Sequence, residues 1–206
     1  MRRDRGSTRN NAVQNRPNTL RIIGGEWRGR RIRFPGLAGL RPTPDRVRET
    51  LFNWLAPDVA GSRCLDLFAG SGALGLEALS RGAAGVTFVE REREAADRLR
   101  ETVNQLASGR AQVVQADALV WLGGAPEPFD IVFVDPPFDS GLIPAAMRAL
   151  EAGGWLMPAA RIYLEGPAKA GPPELPRGWV LHRSGRAGAV GYHLARRQAG
   201  GTGGPA

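Results

Sequence analysis

The residues with the clearest chemical potential lie in the stretch DIVFVDPPFDS, at positions 130–140. An apolar run ends there on Asp135, which is followed by Pro136, Pro137 and Phe138. An amine attached to an aromatic base is a weak nucleophile, because its lone pair is delocalised into the ring. The Asp135 carboxylate and the Pro136 carbonyl can each accept one N–H of such an amine, and Pro137 restricts the orientation of that carbonyl. Phe138 can stack on the base, which contributes roughly 1–3 kcal/mol. These four residues predict a catalytic site for an amino group; the alternative is a strand that the prolines simply end.

A glycine-rich turn is predicted in LDLFAGSGALGLEAL, residues 65–79. Gly70, Gly72 and Gly75 match the spacing G-x-G-x-x-G, and Glu90 lies 20 residues beyond Gly70 at the end of the next predicted strand. Glycines let the backbone approach a bound nucleotide closely, and the acid can accept both ribose hydroxyls. The pattern suits NAD and S-adenosylmethionine (SAM) equally, and a tight turn without a ligand is the third interpretation.

The acids near this turn favour SAM over a dinucleotide. Asp66 lies four residues before Gly70, where its carboxylate would repel a pyrophosphate but attract the sulfonium and ammonium groups of SAM. Asp117, at the end of the third predicted strand, can accept the adenine amino group. It can also cap the helix that follows, and the two roles are compatible. Methyl transfer needs the amine about 3 Å from the sulfonium methyl group and in line with it, so positioning supplies much of the rate.

Short apolar strands alternating with amphipathic helices are predicted to position these residues. Strands are expected at 63–68, 85–90, 111–116, 129–134 and 161–165, and helices at 71–81, 92–107, 117–122 and 141–151. This alternation is typical of a doubly wound α/β fold with a mostly parallel sheet. In such a fold the carboxyl ends of the strands form the ligand crevice, so the acids and the glycine turn converge there.

The N-terminal part of the chain follows a different pattern. Residues 19–34 predict two short strands joined near residues 24–25, and four arginines are placed on the second strand: Arg28, Arg30, Arg31 and Arg33. Residues 41–56 predict a helix with Thr43 as its N-cap and Pro44 at its first position.

The C-terminal part of the chain ends the strand–helix alternation. Residues 178–197 predict an antiparallel hairpin around a glycine-rich turn. The sequence therefore divides into four predicted segments: a disordered basic tail (1–18), a hairpin and helix (19–57), a catalytic α/β domain (58–197) and a flexible end (198–206).

Composition and charge limit the class of protein. The 206 residues suffice for one α/β domain, and no apolar run approaches the roughly 18 residues of a membrane helix. No secretory signal is visible, and Cys64 is the single cysteine, so the cytoplasm is expected and no cysteine-based metal site is possible. Residues 1–50 hold 13 arginines against four acids, whereas the net charge of the whole chain is +8. This clustering favours a polyanionic partner.

Several of these segments together resemble one protein family. RIIGGEWRGRRIRFP, LRPTPDRVRETLFNWL, LDLFAGSGALGLEALSRGA, FVERER and DIVFVDPPF closely resemble the RsmD family of bacterial 16S rRNA (guanine-N2)-methyltransferases. The resemblance covers about residues 19–197. The segment RPT..RVRE is its most specific mark, and Pro44 departs from the small polar residue that is usual in the family.

The resemblance implies a Rossmann-like SAM-dependent methyltransferase fold with a seven-stranded sheet and a C-terminal antiparallel hairpin. It implies SAM as methyl donor, no metal, and a guanine of 16S rRNA as acceptor, within the small ribosomal subunit; a monomer is expected. The implied SAM-binding residues are Asp66, Phe68, Gly70, Gly72, Glu90, Asp117, Ala118 and Thr43. The implied RNA-binding residues are Arg28, Arg30, Arg31, Arg33, Arg41, Arg46 and Arg48.

Four other functions compete with this interpretation. A DNA amino-methyltransferase would share the motifs, although no segment of target-recognition size is present. Protein glutamine methylation usually has Asn at the position of Asp135. An NAD-dependent oxidoreductase would explain the glycines and Glu90 but neither DPPF nor Asp66. A non-enzymatic RNA-binding module would explain the charge alone.

Overall fold

A computed structural model describes residues 18–34, 43–107 and 109–198. Nine strands lie in these ranges: β1 (Asn18–Arg21), β2 (Arg31–Phe34), β3 (Arg63–Asp66), β4 (Gly85–Glu90), β5 (Ala111–Gln115), β6 (Phe129–Val134), β7 (Leu156–Pro167), β8 (Trp179–Ala187) and β9 (Val190–Arg197). Five α-helices separate them: α1 (Asp45–Trp54), α2 (Ala73–Ser80), α3 (Arg93–Leu106), α4 (Ala118–Trp121) and α5 (Ile143–Ala152). Of the predicted tails 1–18 and 198–206, residues 1–17 and 199–206 lie outside the described ranges.

The central sheet has seven strands in the order β5-β4-β3-β6-β7-β9-β8. Strands β3 to β7 pair in parallel, and β9 and β8 add an antiparallel hairpin at one side. The predicted α/β fold is therefore confirmed. Because β4 and β6 lie on opposite sides of β3, the strand order reverses at the end of β3, which is where doubly wound folds bind ligands.

Each face of the sheet is covered by its own apolar core. Ile131 and Phe133 of β6 pack on the face that carries α1, α2 and α3, whereas Val132 and Val134 pack on the face that carries α4 and α5. All four side chains are fully buried. The alternation of β6 between two dry faces is typical of a parallel sheet with helices on both sides. It also means that the strand cannot shift by one residue without exchanging its faces, so the position of the residue that follows it is well fixed.

The N-terminal hairpin differs in one respect from the sequence prediction. Arg31 and Arg33 lie on β2 and are exposed, while Phe34 of the same strand is buried. The sequence predicted Arg28 and Arg30 on this strand as well. In the structure they lie in the connection between β1 and β2. Ile22 and Trp27 of this connection are buried, and hydrogen bonds between the backbone of Ile22 and that of Gly29 and Arg30 close its turn before the second strand begins at Arg31.

The start of α1 also differs from the prediction. The N-cap residue is Pro44, not Thr43, and no side chain caps the helix. The Thr43 hydroxyl instead donates to Oδ2 of Asp135, with the two oxygens 3.2 Å apart. A hydroxyl that satisfies a carboxylate elsewhere is no longer available to the first turn of its own helix.

Glu77 anchors the N-terminal hairpin to the helix that follows the glycine turn. This side chain is fully buried in α2, and its carboxylate accepts the backbone N–H groups of Ile23 and Gly24, each at 2.8 Å. The Arg81 side chain donates to it at 2.8 Å, and a nitrogen of the buried Arg48 lies 3.7 Å from it. One carboxylate thus joins the hairpin, α1 and α2.

Removing this carboxylate is expected to be costly. In Glu77→Ala two backbone donors and the Arg81 side chain lose their acceptor, and the buried Arg48 loses its ion-pair partner. Breaking a buried pair from one side costs about 3 kcal/mol or more. Urea denaturation is expected to show this loss in the free energy of unfolding. The matched control is Glu101→Ala, because Glu101 forms an exposed ion pair with Arg98 at 2.9 Å; that loss is expected to stay below about 1 kcal/mol. Equal effects in the two variants would contradict the role of Glu77.

No helix within the described ranges is both long and apolar enough to cross a membrane.

Candidate active site

Four acids lie where neighbouring parallel strands end. Asp66 is the last residue of β3, Glu90 is the last residue of β4, Asp117 precedes α4 after β5, and Asp135 follows β6. Since β5, β4, β3 and β6 are adjacent and parallel, their carboxyl ends share one edge of the sheet. The sequence predicted this convergence from the strand–helix alternation, and the structure places the four residues accordingly.

The glycine turn lies between β3 and α2 and has the backbone that glycine permits. Gly70 and Gly72 have φ values of +51° and +74°, which side-chain-bearing residues rarely adopt. Glycine is needed at position 75 for a different reason, because a Cβ added there would lie 2.2 Å from the Phe88 ring of β4. The first two glycines therefore shape the turn, and the third permits α2 to pack closely on the sheet.

Glu90 is held in place by the backbone of the turn. Its Oε2 accepts the Gly70 N–H at 2.7 Å, and its Oε1 accepts the Glu92 N–H at 2.7 Å. Each carboxylate oxygen keeps a second lone pair, so the group can still accept two ligand hydroxyls. Its orientation is consistent with the predicted role toward a ribose.

Asp66 is almost completely buried beneath the turn, and its Oδ2 accepts the N–H of Gly75 at 3.0 Å. Burial raises the pKa of Asp66 to about 7, the charge of Glu90 contributes to the rise, and the hydrogen bond from Gly75 opposes it. A nearby cation would favour the ionised form. The residue therefore suits a positively charged ligand better than a pyrophosphate.

Asp117 caps α4. The Oδ1 atom of Asp117 accepts the N–H groups of Leu119 at 2.9 Å and Val120 at 3.2 Å. The capping interpretation is thus confirmed, while the contact with an adenine amino group stays a prediction. Ala118 is buried at the first position of α4, and Phe68 packs partly buried against the core on that face.

The DPPF motif forms a rigid corner at the end of β6. Asp135 is half-buried, Pro136 is buried and Pro137 is exposed. Phe138 begins a single 3-10 turn and is exposed, which leaves its ring available for stacking.

Asp135 carries a perturbed carboxyl group. Its pKa lies well above the ordinary range, because the carboxyl group is largely removed from water although the residue as a whole is half-buried, and because Glu165 places a second negative charge nearby; the hydrogen bond from Thr43 opposes the rise. The Thr43 hydroxyl bonds Asp135, and its predicted contact with the cofactor stays a prediction.

Glu165 and Tyr163 belong to this site but are absent from the residues predicted above. Glu165 is 4% exposed, and the Tyr163 hydroxyl donates to its Oε2 at 2.6 Å. The available signal was an acid closing the apolar run IYLE at residues 162–165, as acids close the other parallel strands.

The predicted RNA-binding arginines fall into two groups. Five are exposed and form no ion pair with any residue of the described ranges: Arg28, Arg30, Arg31, Arg33 and Arg46. Arg41 lies outside those ranges. Arg48 is fully buried and donates to the carbonyls of Thr43 and Arg21 and to Asp45, so the prediction that it contacts RNA is wrong.

The set of polar groups around the turn fits SAM. The residues of the turn and of α2, from 66 to 80, contain neither lysine nor arginine to balance a pyrophosphate, and the acids at the strand ends would attract a sulfonium and an ammonium. Across the part of the chain that the structure describes, no group of three His, Cys, Asp or Glu residues could hold a metal ion.

Comparison with known proteins agrees with the geometry. The sequence profile of a family described as "Conserved hypothetical protein 95" matches residues 20–196. A relative from Escherichia coli (strain K12), Ribosomal RNA small subunit methyltransferase D, is 52% identical over 180 residues, which cover 87% of this chain and 91% of the relative. The chain belongs to the RsmD family.

Solved structures extend this likeness to three dimensions. The structure of yhhF from Escherichia coli superimposes with a TM-score of 0.81 at 48% identity, covering 88% of this chain and 99% of yhhF. SMU.776, solved in complex with S-adenosylhomocysteine (SAH), has a TM-score of 0.63 at 17% identity, covering 80% of this chain and 53% of the other. At that identity the second likeness shows the fold alone. The predicted RsmD membership and the methyltransferase fold are therefore confirmed.

The buried Asp66 of this RsmD protein predicts a pH-dependent stability. Its pKa in the folded protein, about 7, exceeds its ordinary value near 4, so between these values the folded state holds a proton that the unfolded state has lost. The contribution of Asp66 to the free energy of unfolding therefore falls as the pH rises from about 4 to about 7. Asp66→Asn removes this effect and keeps an oxygen for the Gly75 amide.

Urea denaturation at about pH 5 and about pH 8 tests this expectation. The decrease in unfolding free energy between the two pH values is expected to be smaller in Asp66→Asn than in the wild type by more than about 1 kcal/mol, the equivalent of one pKa unit. Asp97→Asn, which removes an exposed carboxylate of α3, is expected to leave the decrease unchanged. An unaltered decrease in Asp66→Asn would show that Asp66 has an ordinary pKa.

Proposed function

We propose that this chain transfers a methyl group from SAM to the exocyclic N2 amine of a guanine in 16S rRNA, within the small ribosomal subunit. The observation that carries the proposal is the position of Asp135: a fixed acceptor at the end of β6, beside a glycine turn lined by acids. The name of the Escherichia coli relative supports the same reaction class and the same RNA.

The SAM-binding residues are those of the glycine turn and of the adjacent strand ends. Asp66 supplies negative charge toward the cationic part of the cofactor, Glu90 accepts the ribose hydroxyls, and Asp117 accepts the adenine amino group. When bound, SAM supplies an electrophilic methyl group, whose bond to sulfur breaks as its bond to the amine nitrogen forms. A dinucleotide is disfavoured because its pyrophosphate would meet these same acids.

The chain activates the amine by holding both of its hydrogens. The Asp135 carboxylate accepts one N–H, and the carbonyl of the buried Pro136 accepts the other, so the nitrogen lone pair is directed away from the ring and toward the methyl group. As the new N–C bond forms, the amine loses one proton, and the ionised Asp135 is the base placed to receive it. Phe138 stacks on the guanine and keeps its plane fixed.

The exposed arginines give the RNA a surface next to this site. Arg31 and Arg33 project from β2, Arg28 and Arg30 from the connection before it, and Arg46 from the first turn of α1. Guanidinium groups bind phosphate with paired hydrogen bonds, and none of these five is engaged by an acid of the described residues. Because Thr43 precedes α1 and bonds Asp135, RNA on this surface lies close to the catalytic corner.

Asp135→Ala is expected to lower the methyl-transfer rate by at least about 100-fold, the scale of a lost general base, while SAM affinity stays nearly unchanged. The rate is measured with labelled SAM and small subunits that lack the modification, followed by mapping of the methylated nucleotide. Binding of SAM and SAH is measured by calorimetry. Loss of SAM binding in this variant would contradict the assigned role, and a wild-type protein that binds neither SAM nor SAH would reject the proposed function.

The paired substitution Arg31→Ala and Arg33→Ala is expected to weaken RNA binding and to reduce its dependence on salt. Each lost phosphate contact lowers the slope of log K against log salt by about 0.7 to 0.9. Filter binding at several salt concentrations measures this slope. Arg177→Ala, which removes an exposed arginine from the connection before β8, serves as the matched control. An unchanged slope in the β2 variant would exclude Arg31 and Arg33 as phosphate contacts.

A further inference from the structure

Two acidic residues lie side by side on neighbouring strands at the catalytic corner. β6 and β7 pair in parallel with Val134 opposite Leu164, so the next residues on the two strands, Asp135 and Glu165, are neighbours. Glu165 is 4% exposed and Asp135 is half-buried. The proposed reaction uses Asp135, but it assigns no role to Glu165.

Among the residues that the structure describes, the groups bonded to this pair are hydroxyls, and none is a cation. Tyr163 donates to Glu165 at 2.6 Å, and Thr43 donates to Asp135 at 3.2 Å. The titratable groups that face the pair are Asp66 on β3, Tyr163 on β7 and Tyr192 on β9. Tyr192 is opposite Glu165 in the β7–β9 register and is stacked on Trp54 of α1.

No arginine, lysine or histidine of residues 18–34, 43–107 and 109–198 forms an ion pair with either carboxyl group. Two carboxyl groups that are neighbours across β6 and β7, without an ion-pair partner among the described residues and largely removed from water, resist ionising together. Burial raises the pKa of each, and the charge of Glu165 raises that of Asp135 further. The pair therefore keeps one proton to a higher pH than either group would alone.

We propose that Glu165 is a positioning residue of the methyl transfer: it shares one proton with Asp135 and thereby determines when Asp135 can accept the N–H of the substrate amine. The consequence for methyl transfer rests on the proposed function, whereas the shared proton is a property of the free protein. Tyr163 makes the shorter hydrogen bond and favours the charge on Glu165, so the proton resides mainly on Asp135. A cation bound near the pair favours loss of that proton.

The direct test is a 13C NMR titration of the aspartate carboxyl carbons, with SAM absent. Asp135→Asn identifies the resonance of Asp135, which is expected to titrate well above the range of exposed aspartates in the wild type. In Glu165→Gln the neighbouring charge is absent, so the midpoint of Asp135 is expected to fall by at least about one pH unit. In Glu165→Asp, which restores a carboxyl group, the midpoint is expected to return toward the wild-type value.

Tyr163→Phe keeps both carboxyl groups and provides the test if Glu165→Gln does not fold. Without the tyrosine hydroxyl, Glu165 holds the shared proton more strongly, so the midpoint of Asp135 is again expected to fall. The titration midpoint of Asp135 is compared between the wild type and each of these variants that folds. An unchanged midpoint would overturn the proposal.

The rate of methyl transfer provides the second measurement. In the wild type the rate is expected to fall as the pH decreases through the midpoint of Asp135, and in Glu165→Gln this fall is expected at a pH lower by about one unit or more. If Glu165 had only a structural role, Glu165→Gln would reduce the rate at every pH without changing the pH at which the rate falls. That result would overturn the proposal. If the NMR midpoints shift but no methyl transfer occurs with any small-subunit RNA, the proposed function fails and the shared proton stands.

Discussion

The negative charge gathered at the carboxyl ends of β3, β4, β5 and β6 is the constraint on which this structure depends. Asp66, Glu90 and Asp117 each accept hydrogen bonds from backbone N–H groups, and Asp135 accepts one from a hydroxyl. Neutral donors satisfy the oxygens, and a bound cation favours the ionised forms of Asp66 and Asp135, whose pKa values are raised. The edge of the sheet therefore keeps a field that attracts a cation and repels a phosphate. This is the physical reason for the preference for SAM over a dinucleotide in a turn whose glycines permit both.

The arginines, in contrast, are kept away from this edge. Arg48 and Arg81 support the fold through Glu77, and the exposed arginines lie on the N-terminal hairpin and at the start of α1. The two regions of opposite charge are joined at two points: Glu77 fastens the hairpin to the helix of the glycine turn, and Thr43 contacts Asp135. The segment whose arginines are proposed to bind RNA thus also supports Asp135, the proposed catalytic acid.

The sequence predicted the sheet and its central acids well, because both follow from local patterns. The apolar runs and the glycine spacing are short-range signals, and β6 begins and ends where it was predicted. Contacts between distant segments were not predictable in this way. Thr43 has the residue type of an N-cap, yet it bonds a side chain 92 positions away, and Arg48 is charged but pairs with acids and carbonyls inside the core. Glu165 was not predicted because its neighbour, Asp135, follows a different strand. These outcomes depend on tertiary packing, which composition and periodicity do not encode.

The central claim is that Asp135 and the Pro136 carbonyl hold a guanine amine directly in front of the sulfonium of SAM. A crystal structure with SAH and a guanine-containing RNA fragment tests this claim most directly. The account predicts the guanine N2 within hydrogen-bonding distance of both the Asp135 carboxyl group and the Pro136 carbonyl, with the base stacked on Phe138 and N2 facing the sulfur of SAH. A structure with the Asp135 side chain turned away from the crevice, or with no space for a purine between it and SAH, would contradict the account.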